Sequence, residues 1–168
     1  MKRINAALAL VLLMAIFCSC SAQTKSFTVS DYGLTVECSG FHDCKSENWD
    51  LQLYDQRAYF SVMAYYYVDL AEGQTPKEIY DFSNEDIFSR RENVSVVIEE
   101  TELAAEGKTV IKTRYSAEKD GNKNYYDSYL VDFPDKGVFA WVLVTSVPSY
   151  LEKNGPGFDE YVKSIKAE

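Results

Sequence analysis

The sequence predicts an α+β fold, an antiparallel β-sheet of about six to seven strands flanked by helices in an α/β/α sandwich. Three patterns lead to this prediction. Short apolar or alternating runs recur along the chain between turn residues, which is typical of antiparallel strands. One of these runs is apolar on both faces, as expected for a strand covered on both sides. Two further segments carry apolar residues at helical spacing.

The first strands are predicted around short turns. Residues 27–30 and 34–37 alternate around the turn at Gly33, where glycine tolerates a positive φ, and this predicts a β-hairpin. Residues 51–54 form the next predicted strand, and residues 58–68 form the longest one. Both faces of that strand are apolar or aromatic, so we expect it to lie centrally in the sheet.

A helix is predicted to begin at Thr75. The hydroxyl of Thr75 can accept from the first free backbone N–H groups, Pro76 lacks a donor that would be unpaired there, and Glu78 can bond back to the cap. The residues expected to face the sheet are Ile79, Phe82, and Ile87 or Phe88.

Four strands are predicted after this helix, at residues 94–99, 109–116, 124–132 and 138–146, with turns at Gly107, Gly121 and residues 134–137. The last of them is apolar throughout and is expected to be buried. Pro148 and the segment Gly155-Pro156-Gly157 are expected to bracket a loop or short helix. A C-terminal helix then closes the chain, and its apolar residues at helical spacing are Phe158, Tyr161 or Val162, and Ile165.

Residues 1–22 have the pattern of a bacterial export signal. Two basic residues precede a short apolar run, which is followed by small residues and two cysteines. In one interpretation Cys20 is lipidated and the protein is anchored to the cell membrane; in the other, cleavage after Ala22 releases a secreted chain. The apolar run is shorter than the about 20 residues that a membrane span needs. The predicted organisation is a signal at 1–22, a tether at 23–26 and one α+β domain at 27–168.

The charge of the chain excludes several partners. The first 22 residues hold two of the 17 basic residues and none of the 26 acidic ones, which leaves a formal charge of −11 on the rest. Such a surface repels phosphate backbones, so no nucleic-acid partner is expected. It also disfavours binding to anionic membranes, so membrane contact is expected through the N-terminal lipid only.

Cys38 and Cys44 are predicted to form a disulfide, because an exported protein leaves the reducing cytoplasm. Together with His42 they contain zinc-ligand types, but their spacing matches no common zinc pattern. We therefore predict no metal site, and no motif indicates another cofactor.

Aromatic residues supply the candidate ligand site. Alternation along the strands suggests a groove lined by some of the following residues: Tyr59, Tyr65, Tyr67, Tyr126 and Trp141. Serine–histidine–acid and cysteine–histidine catalytic arrangements would both have to use the single histidine, His42, and no glycine-flanked serine elbow is present. No catalytic residue is predicted.

The order of elements resembles the PsbP-like superfamily, which includes the lumenal PsbP proteins, a nuclear Ran-binding protein and many small bacterial lipoproteins. The similar segments are residues 31–36, Trp49 and the closing stretch 158–166. The resemblance implies an antiparallel sheet flanked by helices without a catalytic centre, and it transfers no site residue.

These patterns predict an exported, lipid-anchored, non-enzymatic accessory protein of the envelope. Its partner would be an unknown envelope protein or a small ligand. Two alternatives stay open, an extracytoplasmic hydrolase acting through an unrecognised carboxylate site and a structural envelope protein without a ligand.

Overall fold

The computed structural model of the chain describes residues 23–168. The predicted export signal, with Cys20, lies outside this range. Within it the chain forms ten strands and two helices. The strands are β1 (Thr24–Val29), β2 (Leu34–Ser39), β3 (His42–Asp43), β4 (Leu51–Tyr54), β5 (Ala58–Tyr66), β6 (Glu92–Leu103), β7 (Thr109–Lys119), β8 (Asn122–Phe133), β9 (Val138–Ser146) and β10 (Lys166–Ala167), and the helices are α1 (Pro76–Ser89) and α2 (Pro148–Lys163).

Seven strands form one antiparallel sheet in the order β3-β4-β5-β9-β8-β7-β6. The apolar strand predicted to be buried is β9, which lies at the centre of this sheet with residues 138–144 all buried. Strand β6 forms one edge, and in the described part of the chain it pairs only with β7. Eleven of its twelve residues are exposed, and three irregularities interrupt its register.

Each face of this sheet carries its own apolar cluster. On one face, α2 and a second sheet, β1-β2-β10, enclose a core that includes Phe60, Tyr129 and Leu151. On the opposite face, α1 covers a smaller cluster that includes Tyr80 and Phe139. The architecture is therefore the predicted α/β/α sandwich, with a three-stranded sheet added to the layer that contains α2.

Helix α1 begins as its sequence predicts. The amide of Glu78 donates to Oγ1 of Thr75 at 3.3 Å, and the amide of Thr75 donates to Oε2 of Glu78 at 2.7 Å. The predicted buried face is wrong at Phe82, which is 68% exposed. Tyr80 is buried instead, because its hydroxyl donates to Oγ1 of Thr113 at 3.1 Å beneath the helix.

The loop or short helix expected between Pro148 and Gly155-Pro156-Gly157 and the separate C-terminal helix expected after it are instead one helix, since α2 runs from Pro148 to Lys163. A Cβ at Gly155 would come within 2.6 Å of Nη2 of Arg114, so glycine allows the helix to approach the sheet closely. Pro156 has no N–H to donate within the helix. One turn earlier, the Arg114 guanidinium donates to the Leu151 carbonyl at 3.3 Å and ties the helix to the sheet.

The predicted hairpin forms, but it belongs to the smaller sheet, where β2 pairs with β1 and with the short C-terminal strand β10. The predicted tether at residues 23–26 is wrong for its last three residues, which are part of β1 and pair with residues 37–39. The longest predicted strand ends at Tyr66 rather than at Val68. Neither of the two helices found in residues 23–168 is long and apolar enough to cross a membrane.

Candidate binding groove

An open groove lies on the α1 face of the seven-stranded sheet, beside the C-terminal end of α1. Its cavity has a volume of about 560 Å³, within the about 300–1,000 Å³ usual for small-ligand sites. Strands β4, β5, β9 and β8 form the floor, and Trp49 and Ile87 form two of its walls. A neighbouring cavity of about 640 Å³ shares Trp49, Ile87, Arg91 and Lys119 with it, so the two form one continuous groove.

The charge of the main cavity is opposite to that of the chain. Arg57, Arg91 and Lys119 line it, and none of its lining residues is Asp or Glu, although the chain has 26 acidic and only 17 basic residues. Within residues 23–168, none of these three cations forms a salt bridge. In the neighbouring cavity, Asp86 is paired with Arg90. The main cavity therefore offers positive charge without an internal counterion.

Separate elements supply these three cations. Arg57 lies in the turn between β4 and β5, and its guanidinium carbon is 5.7 Å from the centre of the Tyr150 ring. Arg91 follows α1, where its Nη1 donates to the Arg90 carbonyl at 3.2 Å and its Nε donates to the Tyr126 hydroxyl at 3.4 Å. Lys119 ends β7 and is exposed.

Aromatic rings border the groove and are supported by second rings. The ring centres of Trp49 and Trp141 are 5.0 Å apart. Tyr59 stacks on Tyr54 with ring centres 4.7 Å apart and remains 45% exposed. Each of these two bordering rings, Trp49 and Tyr59, therefore packs against a second ring, which restricts its side-chain freedom.

Hydrogen-bonding groups make up much of the floor between these rings. Gln52 of β4 donates from Nε2 to Oγ of Ser61 on β5 at 3.0 Å. Thr145 of β9 lies between Tyr59 and Tyr126, since each of the two pairs with it in register. The floor can therefore donate and accept hydrogen bonds as well as pack against rings.

The structure brings three of the five predicted aromatic residues to the groove. Tyr59 and Tyr126 line the main cavity, and Trp141 lines the neighbouring one. Tyr65 and Tyr67 share the same face but lie at the opposite end of β5, where both contact Phe139. Sequence reasoning missed the three cations of the main cavity, because they come from distant parts of the chain.

Tyr67 and Asp132 form a separate polar pair at that opposite end. The Tyr67 hydroxyl donates to Oδ1 of Asp132. Burial raises the pKa of Asp132 above its ordinary value, and the hydrogen bond from Tyr67 partly offsets this rise. Burial, followed by the bond to Asp132, raises the pKa of Tyr67. Neither residue lines the two cavities of the groove.

The predicted disulfide is not formed in the structure. Cys38 lies in β2 of the smaller sheet and is fully buried in the core, whereas Cys44 follows β3 of the larger sheet, where its amide donates to the Gln52 carbonyl at 2.8 Å. Cys38 is therefore enclosed in the core, whereas Cys44 is partly exposed beside the larger sheet. Burial raises the pKa of Cys38 to about 12. Among residues 23–168, no group of three or more His, Cys, Asp or Glu side chains is arranged to hold a metal ion.

Two carboxylates converge elsewhere, between α2 and the sheet. Asp127 and Asp159 both contact Nζ of Lys112, at 3.1 and 2.6 Å, and Arg114 forms a two-point ion pair with Asp127. The Tyr129 hydroxyl donates to Asp159 at 2.8 Å, and burial, followed by the two carboxylates, raises its pKa strongly. The Asp127 side chain has no exposed surface and that of Asp159 is 21% exposed. We call these five residues the buried charge cluster, and both of its carboxylates are held in ion pairs.

Solved structures of similar shape identify the fold. Cyanobacterial PsbP from Synechocystis superimposes with a TM-score of 0.66 over 88% of this chain and 94% of its own length, at 10% identity. LpqN of Mycobacterium tuberculosis, involved in cell envelope biogenesis, gives a TM-score of 0.62 over 87% and 91%, at 9% identity. The fold is PsbP-like. The Ran-binding protein Mog1p of Saccharomyces cerevisiae shares it with a TM-score of 0.56 over 88% and 96%, at 12% identity.

The PsbP-like fold confirms the resemblance drawn from residues 31–36, Trp49 and 158–166. At about 10% identity the likeness concerns the fold alone. By sequence, no protein-family model matches the chain, and a search among curated proteins finds no match either. A PsbP-like fold therefore positions the groove, whereas the role of the groove depends on its own residues.

Proposed function

We propose that this chain is a non-enzymatic binding protein of the cell envelope that holds a small anionic ligand in the groove beside α1. One observation carries the proposal: within residues 23–168, a cavity lined by three cations without salt-bridge partners and by no carboxylate, in a strongly acidic chain. Concave sites with a few convergent polar groups are where proteins bind small molecules. A positive site inside a negative surface also selects anions against the surrounding field.

A fluorescent anion tests this site directly. The probe is 1-anilinonaphthalene-8-sulfonate, which carries one negative charge and an aromatic body, titrated into the full chain. Replacing Arg57 and Lys119 together by glutamine is expected to weaken probe binding roughly tenfold, about 1.4 kcal/mol. The matched control replaces Lys25 and Lys136, two exposed lysines outside the groove, by glutamine and should leave binding unchanged. Equal affinity of both double variants would contradict the proposal.

Non-enzymatic binding has its own measurement. A ligand that elutes with the protein from its host, identified by native mass spectrometry, should be recovered chemically unchanged after prolonged incubation with fresh protein. Conversion of this ligand into a product would contradict the assignment.

Attachment to the membrane through Cys20 belongs to the same proposal. The cysteine at the end of an apolar run behind two basic residues supports a lipoprotein signal. The variant Cys20→Ser should move the protein from the membrane fraction to the soluble fraction. Mass spectrometry of the wild-type N-terminus should show a lipid-modified Cys20, whereas a mature chain beginning at unmodified Gln23 would contradict the anchor and support secretion.

A further inference from the structure

We infer that the ligand of this groove is an acidic sugar, a hydroxylated ring carrying a carboxylate, as one unit or as a short chain of units. This inference rests on the proposed function and assigns a chemical class to the ligand. Three features of the groove favour a sugar over other anions: its bordering rings, its polar floor and the origin of its cations in separate elements.

The bordering rings are placed to pack against flat, partly apolar ring faces. Trp49 and Tyr59 line the groove, and each is backed by a second aromatic ring, at 5.0 and 4.7 Å between centres. The C–H face of a sugar ring gains dispersion and hydrophobic contact from such a surface. Because the rings are already fixed by packing, little side-chain entropy is lost when a ligand stacks on them.

The floor suits hydroxyl groups better than an acyl chain. Gln52, Ser61, Asn124 and Thr145 supply amide and hydroxyl groups across neighbouring strands. A hydroxylated ring can satisfy these groups by hydrogen bonding. An alkyl chain would cover them without replacing their hydrogen bonds to water, which is unfavourable for each group left unpaired.

The cations border the groove from separate elements and not from a single phosphate-binding loop. Arg57 lies in the β4–β5 turn and Lys119 at the end of β7, so their charges come from different elements along the groove. Separate cations can each pair with one carboxylate of a chain of acidic sugars, and the neighbouring cavity provides room for a second ring.

The two tryptophans of the chain, Trp49 and Trp141, both line the continuous groove, so intrinsic tryptophan fluorescence reports on its occupation. The full chain, in the processed form that its host produces, is titrated separately with tetragalacturonate, neutral maltotetraose, dodecyl phosphate and ATP. We expect a saturable change of emission with tetragalacturonate and no comparable response to the other three. The affinity should fall as salt is added, because the contacts at the groove are charged and partly exposed.

Variants separate the contributions of charge and stacking. Arg57→Gln and Lys119→Gln should each weaken tetragalacturonate binding several-fold, and the exposed control Lys136→Gln should not change it. Tyr59→Ala should weaken binding although it leaves every charge in place, and circular dichroism shows whether each variant is folded.

The outcomes distinguish this inference from the proposed function. Equal binding of maltotetraose would overturn the requirement for an acid. A response to dodecyl phosphate or ATP without one to tetragalacturonate would overturn the sugar assignment and leave the anion-binding proposal standing. No response to any of the three anions, together with unchanged dye binding in the Arg57 and Lys119 variants, would overturn both.

Discussion

Asp127 is the residue whose replacement should reveal most about how the sandwich is held together. The buried charge cluster contains two cations and two carboxylates, and the side chains of Lys112, Arg114 and Asp127 are 8%, 8% and 0% exposed. The variant Asp127→Asn keeps the shape of the side chain but removes one carboxylate. Two cations then share only Asp159, and an uncompensated positive charge remains in the interior between α2 and the sheet.

The expected loss of stability follows from this imbalance. Removing one partner of a buried ion pair costs about 3–5 kcal/mol, a large share of the roughly 5–15 kcal/mol that stabilises a typical domain. For a domain of this size, each kcal/mol lowers the melting temperature by about 2–4 °C. Asp127→Asn should therefore melt roughly 6–20 °C below the wild type.

Thermal and urea unfolding followed by circular dichroism measure this difference. The matched control is Asp135→Asn, which removes the same charge from an exposed turn and should change stability by less than about 0.5 kcal/mol. The double variant with Lys112→Met should recover part of the loss, because one cation and one carboxylate then remain. A loss below about 1 kcal/mol in Asp127→Asn, or a larger loss in the double variant, would refute the reasoning.

Three further predictions concern other sites. Gly155→Ala should lose about 1–3 kcal/mol of unfolding free energy in urea, because its Cβ would lie 2.6 Å from a guanidinium nitrogen. Gly157 has open space around it, so Gly157→Ala should be neutral or gain up to about 1 kcal/mol. Iodoacetamide at pH 8 should label Cys44 before Cys38, as peptide mass spectrometry can show, because burial raises the pKa of Cys38 to about 12. Asp132→Asn should gain in unfolding free energy relative to the wild type between pH 4 and pH 7. The pKa of Asp132 is raised in the folded protein. The wild type therefore loses stability as the pH rises from the ordinary pKa of about 3.9 through this raised pKa.

Each of these predictions has a result that contradicts it. Equal losses at Gly155 and Gly157 would mean that the close approach of the helix is unimportant. Simultaneous labelling of both thiols would contradict the burial of Cys38, and complete protection of both would indicate the disulfide that the structure lacks. A wild type that gains stability relative to Asp132→Asn between pH 4 and pH 7 would reverse the sign of the argument at Asp132.

Local patterns predicted much of the fold because they act over a few residues. Apolar and alternating runs located six of the seven strands of the large sheet, all but β3, and a threonine, a proline and a glutamate at fixed spacing located the start of α1 at Thr75. The burial of β9 followed from an unbroken apolar run. These features depend on the residues themselves and on their neighbours in sequence, so a single sequence contains them.

Features that depend on distant partners were not predicted. The two-residue strand β10 has no pattern of its own and exists because residues 166–167 meet β2. The helix continues through Gly155 because that glycine lies against Arg114, a contact between residues far apart in sequence. Tyr80 rather than Phe82 is buried because its hydroxyl partner, Thr113, lies on a strand that comes later in the chain.

The candidate site likewise has features that local patterns predict and features that depend on distant residues. Alternation along β5 placed Tyr59 on a face with ligand-binding potential, but it also placed Tyr65 and Tyr67 there, and only the position of α1 decides which of them border an open groove. The positive charge of the groove arises where a turn, a strand end and a helix end meet. In sequence these residues are three of the basic residues of an acidic chain, and nothing local sets them apart.

Because strand β6 is an exposed edge, the acidity of the chain also affects whether copies of the protein associate. Its unpaired backbone groups and its apolar side chains, 39–47% exposed, form a template on which another strand could add; the side chains are Val94, Val96, Val97 and Ile98. Far from the isoelectric point of about 4.7, mutual repulsion keeps copies of the protein apart. Acidification toward that point, or high salt, removes this barrier. Concentrated preparations should therefore stay dispersed at neutral pH and low salt, and should become turbid when they are acidified.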